Sequence, residues 1–219
     1  MTLMRQLRFA LGLLVACGAA PGPPRAAQGY HMRFDDAEAF AKRFDDPARD
    51  AWQRPDEVLG VLALRPDSIV ADVGSGTGYF SVRIARAVPQ GRVYGVDVES
   101  AMTEYLTKRA AAAGLTNVVA ITAAGEDPRL PERVDVVLVV DTYHHLDARE
   151  TYFARLRAWL KPGGRVVIVD FKMDSPEGPP AEHRVPAEQA RAEMDKAGYR
   201  MTPAPDVLPY QYVLVFVAR

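Results

Sequence analysis

The run Ile69-Val70-Ala71-Asp72-Val73-Gly74-Ser75-Gly76-Thr77-Gly78-Tyr79-Phe80 constrains the fold more than any other stretch. An apolar strand sequence gives way within a few residues to three alternating glycines, and a helix-forming segment follows. Glycine has no Cβ, so it permits positive φ in a tight turn and lets a ligand approach the backbone closely. The reading is a nucleotide-type cofactor loop at a strand-to-helix junction. Its spacing narrows the reading further. A dinucleotide fingerprint is G-x-G-x-x-G, whose third glycine would fall on Tyr79 or Ser81 here, so a nucleotide-dependent oxidoreductase is disfavoured. The loop is G-x-G-x-G, with an acid, Asp72, two residues upstream.

The remainder repeats the alternation of strand and helix. Tyr79 to Ala87 reads as a helix. The turn Pro89-Gln90-Gly91 then leads into the strand Arg92 to Asp97. Ala101 to Ala113 reads as a helix closed by Gly114, and Asn117 to Thr122 as a strand. Val134 to Val140 is a nearly unbroken apolar strand. Arg149 to Leu160 is an amphipathic helix stopped by Lys161-Pro162-Gly163-Gly164, and Arg165 to Phe171 is the next strand. Pro186 to Ala197 supplies a helix, the proline-rich Tyr199 to Pro209 has room for only a short strand and a turn, and Gln211 to Ala218 is a β-prone terminal strand. Continuous apolar strands alternating with helices imply a parallel sheet covered on both faces, an α/β fold. At 219 residues there is room for one such domain and not for a second full one.

Asp97 ends its strand about twenty residues beyond the glycine loop, which suits a carboxylate that accepts hydrogen bonds from both ribose hydroxyls. A helix cap is the competing role, and Ser100 is a second cap candidate. Ligands of open parallel sheets bind at the carboxyl ends of the strands, so Asp141-Thr142-Tyr143-His144-His145-Leu146, after the fourth strand, belongs near the reacting centre. His144 and His145 are the candidate general bases, since an imidazole with an ordinary pKa of about 6.5 is neutral at working pH. Packing against the following helix is the structural alternative.

With Asp72 upstream, the G-x-G-x-G loop resembles the first motif of the class I methyltransferases that use S-adenosylmethionine, and the resemblance covers roughly Trp52 to Arg219. It implies a doubly wound, mostly parallel seven-stranded sheet with helices on both faces and an antiparallel last strand. It also implies S-adenosyl-L-methionine as cofactor, packed on the backbone of Gly74, Ser75, Gly76 and Gly78, with Asp72, Asp97 and Val98 contributing. Ala124-Gly125-Glu126-Asp127-Pro128 resembles the family's acidic loop that reads the adenine amino group. Position points to Glu126 and residue type to Asp127. Asp141 would touch the methionine end of the cofactor or orient a histidine. The His-His pair resembles the small-molecule branch of the family, whose reaction is an in-line displacement needing proximity, alignment and sometimes a base. The implied activity is methyl transfer to a small-molecule acceptor. A membrane-tethered or exported protein that binds the cofactor without turnover is the alternative.

A formal charge of −1 provides no electrostatic footprint for nucleic acid. The N-terminus, residues 1–28, resembles a leader: Arg5 and Arg8 precede the apolar run Phe9 to Ala16, then Cys17-Gly18-Ala19-Ala20 and a Pro/Gly-rich linker. Leu14-Val15-Ala16-Cys17 resembles a bacterial lipobox, so Cys17 is a candidate lipid tether. A cleaved export signal and a misplaced start with a cytoplasmic product are the other readings. Residues 29–51 form an expected lid region, in which Phe34, Ala37, Phe40, Ala41 and Phe44 recur at near-helical spacing. Residues 52–219 form the main domain. His31 and His183 lie in segments that the family folds over the active-site mouth, so convergence with His144 and His145 is an expectation to examine, although no metal-ligand spacing supports a metal site.

Overall fold

The computed structural model describes residues 36–219. The leader with Cys17, and also His31 and Phe34, lie outside the described residues.

Seven strands form one sheet in the order β3-β2-β1-β4-β5-β7-β6. They are β1 (Ile69–Val73), β2 (Arg92–Asp97), β3 (Val118–Thr122), β4 (Val134–Val140), β5 (Leu160–Phe171), β6 (Tyr199–Thr202) and β7 (Gln211–Ala218). The first five are parallel. β7 inserts antiparallel between β5 and β6, as expected for the terminal strand. The central strands are apolar almost throughout because helices cover both faces. One face packs Val137, Val139 and Ile168 against Phe153, Leu156 and Met194, and the other packs Val136, Leu138 and Val167 against Val58, Leu62 and Ile84.

The helices are α1 (Ala37–Phe44), α2 (Asp50–Gln53), α3 (Pro55–Leu62), α4 (Ser81–Ala87), α5 (Ser100–Ala112), α6 (Arg149–Leu156) and α7 (Ala187–Lys196). Asp36 caps α1 by accepting from the Ala39 amide at 3.0 Å, and Lys42 and Arg43 sit in its last turn, where the helix dipole favours cations. α3 starts with Pro55 at its first position, where the missing N–H costs nothing. The sequence reading passed over α3, and α2 runs across the expected boundary at residues 51/52.

Two expected boundaries differ. α6 stops at Leu156 and tightens into a 3-10 turn at Arg157–Trp159. Strand β5 then begins at Leu160, ahead of the Lys-Pro-Gly-Gly segment, which does not terminate the preceding helix but bulges out of the strand. Leu160 pairs with Val134 and Arg165 with Val136, so the four residues Lys161 to Gly164 on β5 stand opposite the single Asp135 on β4. The irregularity reverses the alternation of β4: Val134 shares a face with Val137 and Val139, although its even number would put it with Val136 and Leu138. Helix α4 starts at Ser81 rather than Tyr79 because Thr77 to Phe80 complete the glycine turn.

Candidate active site

The strand order reverses direction between β1 and β4, and in open α/β sheets ligands bind at such a switch point. The loops that follow these two strands meet there. All three glycines of the loop have positive φ, at +74° for Gly74, +51° for Gly76 and +86° for Gly78. A Cβ on Gly74 would run into the Thr142 side chain, so that position needs glycine for space as well as for conformation. The Gly74 and Ser75 amides both donate to the Val96 carbonyl, at 2.8 and 3.0 Å, which pins the loop to β2.

Asp97 is held by that loop. Its Oδ2 accepts from the Gly76 amide at 2.8 Å and its Oδ1 from the Glu99 amide at 3.0 Å. Each oxygen of an ionised carboxylate can accept about two hydrogen bonds, so each keeps capacity for one ligand hydroxyl. Burial raises this carboxyl above the ordinary range, against the pull of the two amides. Asp97 thus also secures the turn before α5, whose N-cap position is Glu99, without a side-chain cap bond, and whose first residue is Ser100. Val98 next to it is exposed.

Asp72 lies beneath the loop. Buried at the end of β1, it accepts from Ser81 Oγ at 2.6 Å, and burial pushes it up to about 6. It ties β1 to the start of α4 and so acts on the loop's shape. The Ser75 hydroxyl also turns inward toward Gly95, leaving the backbone of Ser75 to line the loop. The acidic loop stands apart from this group. Glu126 is exposed and pairs with Arg155 at 2.6 Å, while Asp127 closes a tight turn by accepting from the Arg129 amide at 2.9 Å.

Beyond β4, Asp141 adopts φ +52°, a left-handed conformation that aspartate tolerates better than most residues. Burial pushes its carboxyl up to about 6, opposed by the guanidinium of Arg49, which donates to its Oδ2 at 3.0 Å. Next comes a 3-10 turn, Tyr143–His145. His144 is buried, and its Nδ1 sits 2.8 Å from Asp170 Oδ1 at the end of β5. The His144 amide also donates to Asp170 Oδ2, at 3.0 Å. An ionised carboxylate can only accept, so Nδ1 carries the proton and the Nε2 of a neutral ring is the basic nitrogen. The His145 ring lies against it, with centroids 4.2 Å apart. Among the described residues no cluster of His, Cys, Asp and Glu is arranged to hold a metal ion.

The N-terminal helices close over the glycine loop. A Cβ on Gly76 would come 3.6 Å from the Phe44 ring, and Ala37 and Ala41 of the same stripe are buried. Asp45 accepts from Thr77 Oγ1 at 3.0 Å and pairs with Arg109. Asp50 accepts from the Tyr79 hydroxyl and pairs with Arg83. Arg49 lies 4.2 Å above the Tyr79 ring.

Arg49, Gln53 and Asp170 escaped the sequence reading. Asp170 carried a usable signal: like Asp72 and Asp97 it is an acid ending an apolar strand, after Val166-Val167-Ile168-Val169. Arg49 and Gln53 carried none, because their partners are remote in sequence.

Residues 70–164 match a protein family described as a methyltransferase domain. Over 114 residues the chain is 31% identical to a ubiquinone/menaquinone biosynthesis C-methyltransferase of Ralstonia pickettii, covering 52% of this chain and 47% of the relative. Over 170 residues it is 28% identical to the 27-O-demethylrifamycin SV methyltransferase of Amycolatopsis mediterranei, covering 71% and 62%. The chain therefore spans about half the length of the first of these relatives. Among solved structures, a SAM-dependent methyltransferase from Aquifex aeolicus superposes with a TM-score of 0.76 at 26% identity, over 83% of this chain and 97% of that one.

Proposed function

Since this chain carries a class I S-adenosylmethionine-dependent methyltransferase domain, we propose that it transfers a methyl group from S-adenosyl-L-methionine to a small-molecule acceptor. The observation that carries the reading is the Asp97 carboxylate, fixed by one amide on each oxygen beside three positive-φ glycines. This is a donor and acceptor set that fits an adenosyl ligand: two free acceptor positions for a ribose diol, and a backbone without side chains for close approach. The cofactor supplies an electrophilic methyl carbon on a sulfonium. Gly74, Ser75, Gly76 and Gly78 would hold it through their backbone, Val98 would pack on its apolar face, and Glu126 or Asp127 would reach its adenine end. Asp72 holds the loop's shape from beneath.

On the acceptor side, His144 is the better-defined base. Asp170 fixes its tautomer and ring plane, leaving Nε2 to take a proton from the acceptor's nucleophilic atom as the bond to carbon forms. His145, whose ring lies tilted against it, is the second candidate. A carboxylate-oriented imidazole has no evident use in a protein that only binds the cofactor, which supports turnover over the binding-only alternative. The two named relatives methylate carbon and oxygen respectively, so they leave the acceptor atom open. For the N-terminus, the basic, apolar and small-residue succession of residues 1–28 supports export or membrane anchoring through Cys17.

Isothermal titration with S-adenosylmethionine and S-adenosylhomocysteine tests the reading. Micromolar binding of both is expected. A folded sample that binds neither would overturn it.

A further inference from the structure

Four side chains from three distant parts of the chain close a hydrogen-bonded ring at the foot of the N-terminal helices. Arg49 donates to Gln53 Oε1 from Nε and Nη2, at 3.2 and 2.9 Å, and to Asp141 Oδ2 from Nη2 at 3.0 Å. Gln53 Nε2 donates to Gln211 Oε1 at 2.6 Å, and Gln211 Nε2 donates to Asp141 Oδ1. Both glutamines are 0% exposed. A buried amide that loses its partner pays the full desolvation penalty, so the ring forms or breaks as a unit.

The ring joins three elements. Arg49 and Gln53 belong to the N-terminal helices, Asp141 ends β4 and Gln211 opens β7. The same helices grip the glycine loop through Asp45, Asp50 and Phe44. Docking of these helices is thus tied to both loops of the switch point at once. The charges matter too. A carboxylate beside a guanidinium is the electrostatic complement of an α-ammonium beside an α-carboxylate, the amino-acid end of the proposed cofactor.

We infer that Gln53 and Gln211 are positioning residues: they hold Arg49 and Asp141 as a paired receptor for the cofactor's amino-acid end and thereby couple cofactor binding to docking of the N-terminal helices. The inference rests on the methyltransferase reading above. Coupling of this kind is reciprocal, so loosening the ring weakens the ligand and removing the ligand loosens the helices.

The test compares two ligands, S-adenosylhomocysteine and methylthioadenosine, which shares the adenosyl group and lacks the amino-acid end. Titrations of the wild type, Gln53→Met and Gln211→Met are paired with hydrogen exchange over residues 37–53. The expected result is a loss of about 10-fold or more for S-adenosylhomocysteine in each variant. Methylthioadenosine affinity stays within about twofold, which also certifies the fold, and amides of 37–53 exchange faster. If either buried substitution prevents folding, Gln53→Ala and Gln211→Ala open the same ring, leave Arg49 and Asp141 in place and carry the same expectation. Equal losses for both ligands, or no loss for S-adenosylhomocysteine, would overturn the inference. A wild type that binds the two ligands equally removes the inference and leaves the adenosyl site standing. A wild type that binds neither removes the methyltransferase reading as well.

Discussion

The carboxyl edge of the sheet divides at the switch point into two halves built in different ways. Beside β1 and β2 the site is made of backbone: positive-φ glycines, two amides on Val96 and two amides on Asp97. Beside β4, β5 and β7 it is made of side-chain pairs, His144 with Asp170, Arg49 with Asp141 and Gln53 with Gln211. A backbone site depends on local conformation, so it tolerates no change in residue type at a few positions. A side-chain site depends on distant elements arriving together. Losing one member leaves its buried partner unpaired, so the cost falls on the group that the pair holds in place. The comparison separates holding a cofactor from using it.

The largest expected effect lies in the backbone half. On the proposed ribose role, Asp97→Ala would remove two hydrogen bonds to a ligand diol, each worth about 1.5–3 kcal/mol to a charged acceptor, so S-adenosylhomocysteine affinity should fall by about 100-fold or more. Gly74→Val should be equally severe, because it imposes a β-branched side chain at φ +74° and drives it into Thr142. Titration against circular dichroism separates binding from folding. Near-wild-type affinity in Asp97→Ala would dissolve the contrast between the halves.

Next in size is the side-chain half. Asp170→Asn frees the His144 ring to take the other tautomer, and turnover of an acceptor found by screening should fall by about 100-fold. Cofactor affinity should stay within about twofold. A loss of affinity matching the loss of turnover would mean that Asp170 supports the whole edge rather than the base. His145→Ala should lower turnover by a smaller factor and spare affinity, and unchanged turnover would return His145 to packing.

Stability tests β1, the strand beneath the glycine loop. Burial raises the Asp72 carboxyl from its ordinary 3.8 to about 6. Between these pH values the folded protein holds a proton that the unfolded chain releases, so this group's contribution is fullest below about pH 4 and is lost as pH rises through about 6. At pH 7 the loss is about 1–3 kcal/mol. Asp72→Asn should therefore raise the denaturant midpoint at pH 7 and flatten the slope between about pH 4 and 6. An unchanged slope would place the titration elsewhere, with Asp141 the next group to substitute.

Legibility in the sequence followed the same division. The glycine loop and Asp97 were readable because these groups come from consecutive residues or from the end of the next strand. The sheet was readable because parallel strands covered on both faces must be apolar nearly throughout, as Val134 to Val140 is apart from Asp135. Arg49 and Gln53 were not readable. A polar residue in a short helix looks solvated until the fold sets it against Asp141 or Gln211, 92 and 158 positions away. The bulge at Lys161 to Gly164 misled for a related reason: proline and glycine mark a break in regular backbone, and only the pairing of Leu160 with Val134 reveals that the break lies within a strand.

The smallest effect decides between Glu126 and Asp127, which sequence left as equals. Glu126 projects outward, its side chain 80% exposed, and is engaged by Arg155 across the surface. Exposed pairs of this kind contribute about 0–1 kcal/mol. Asp127 is exposed as well, but its turn carries the segment back toward Leu130 in the core, and its charge adds to the burial that raises the Tyr152 hydroxyl. Asp127→Ala should therefore weaken methylthioadenosine by about 3- to 10-fold, the worth of one hydrogen bond, while Glu126→Ala leaves it within about twofold. The reverse order would make residue position the better guide than residue type. It would also require the Glu126–Arg155 pair to open when the ligand binds, which the salt dependence of the titration would reveal.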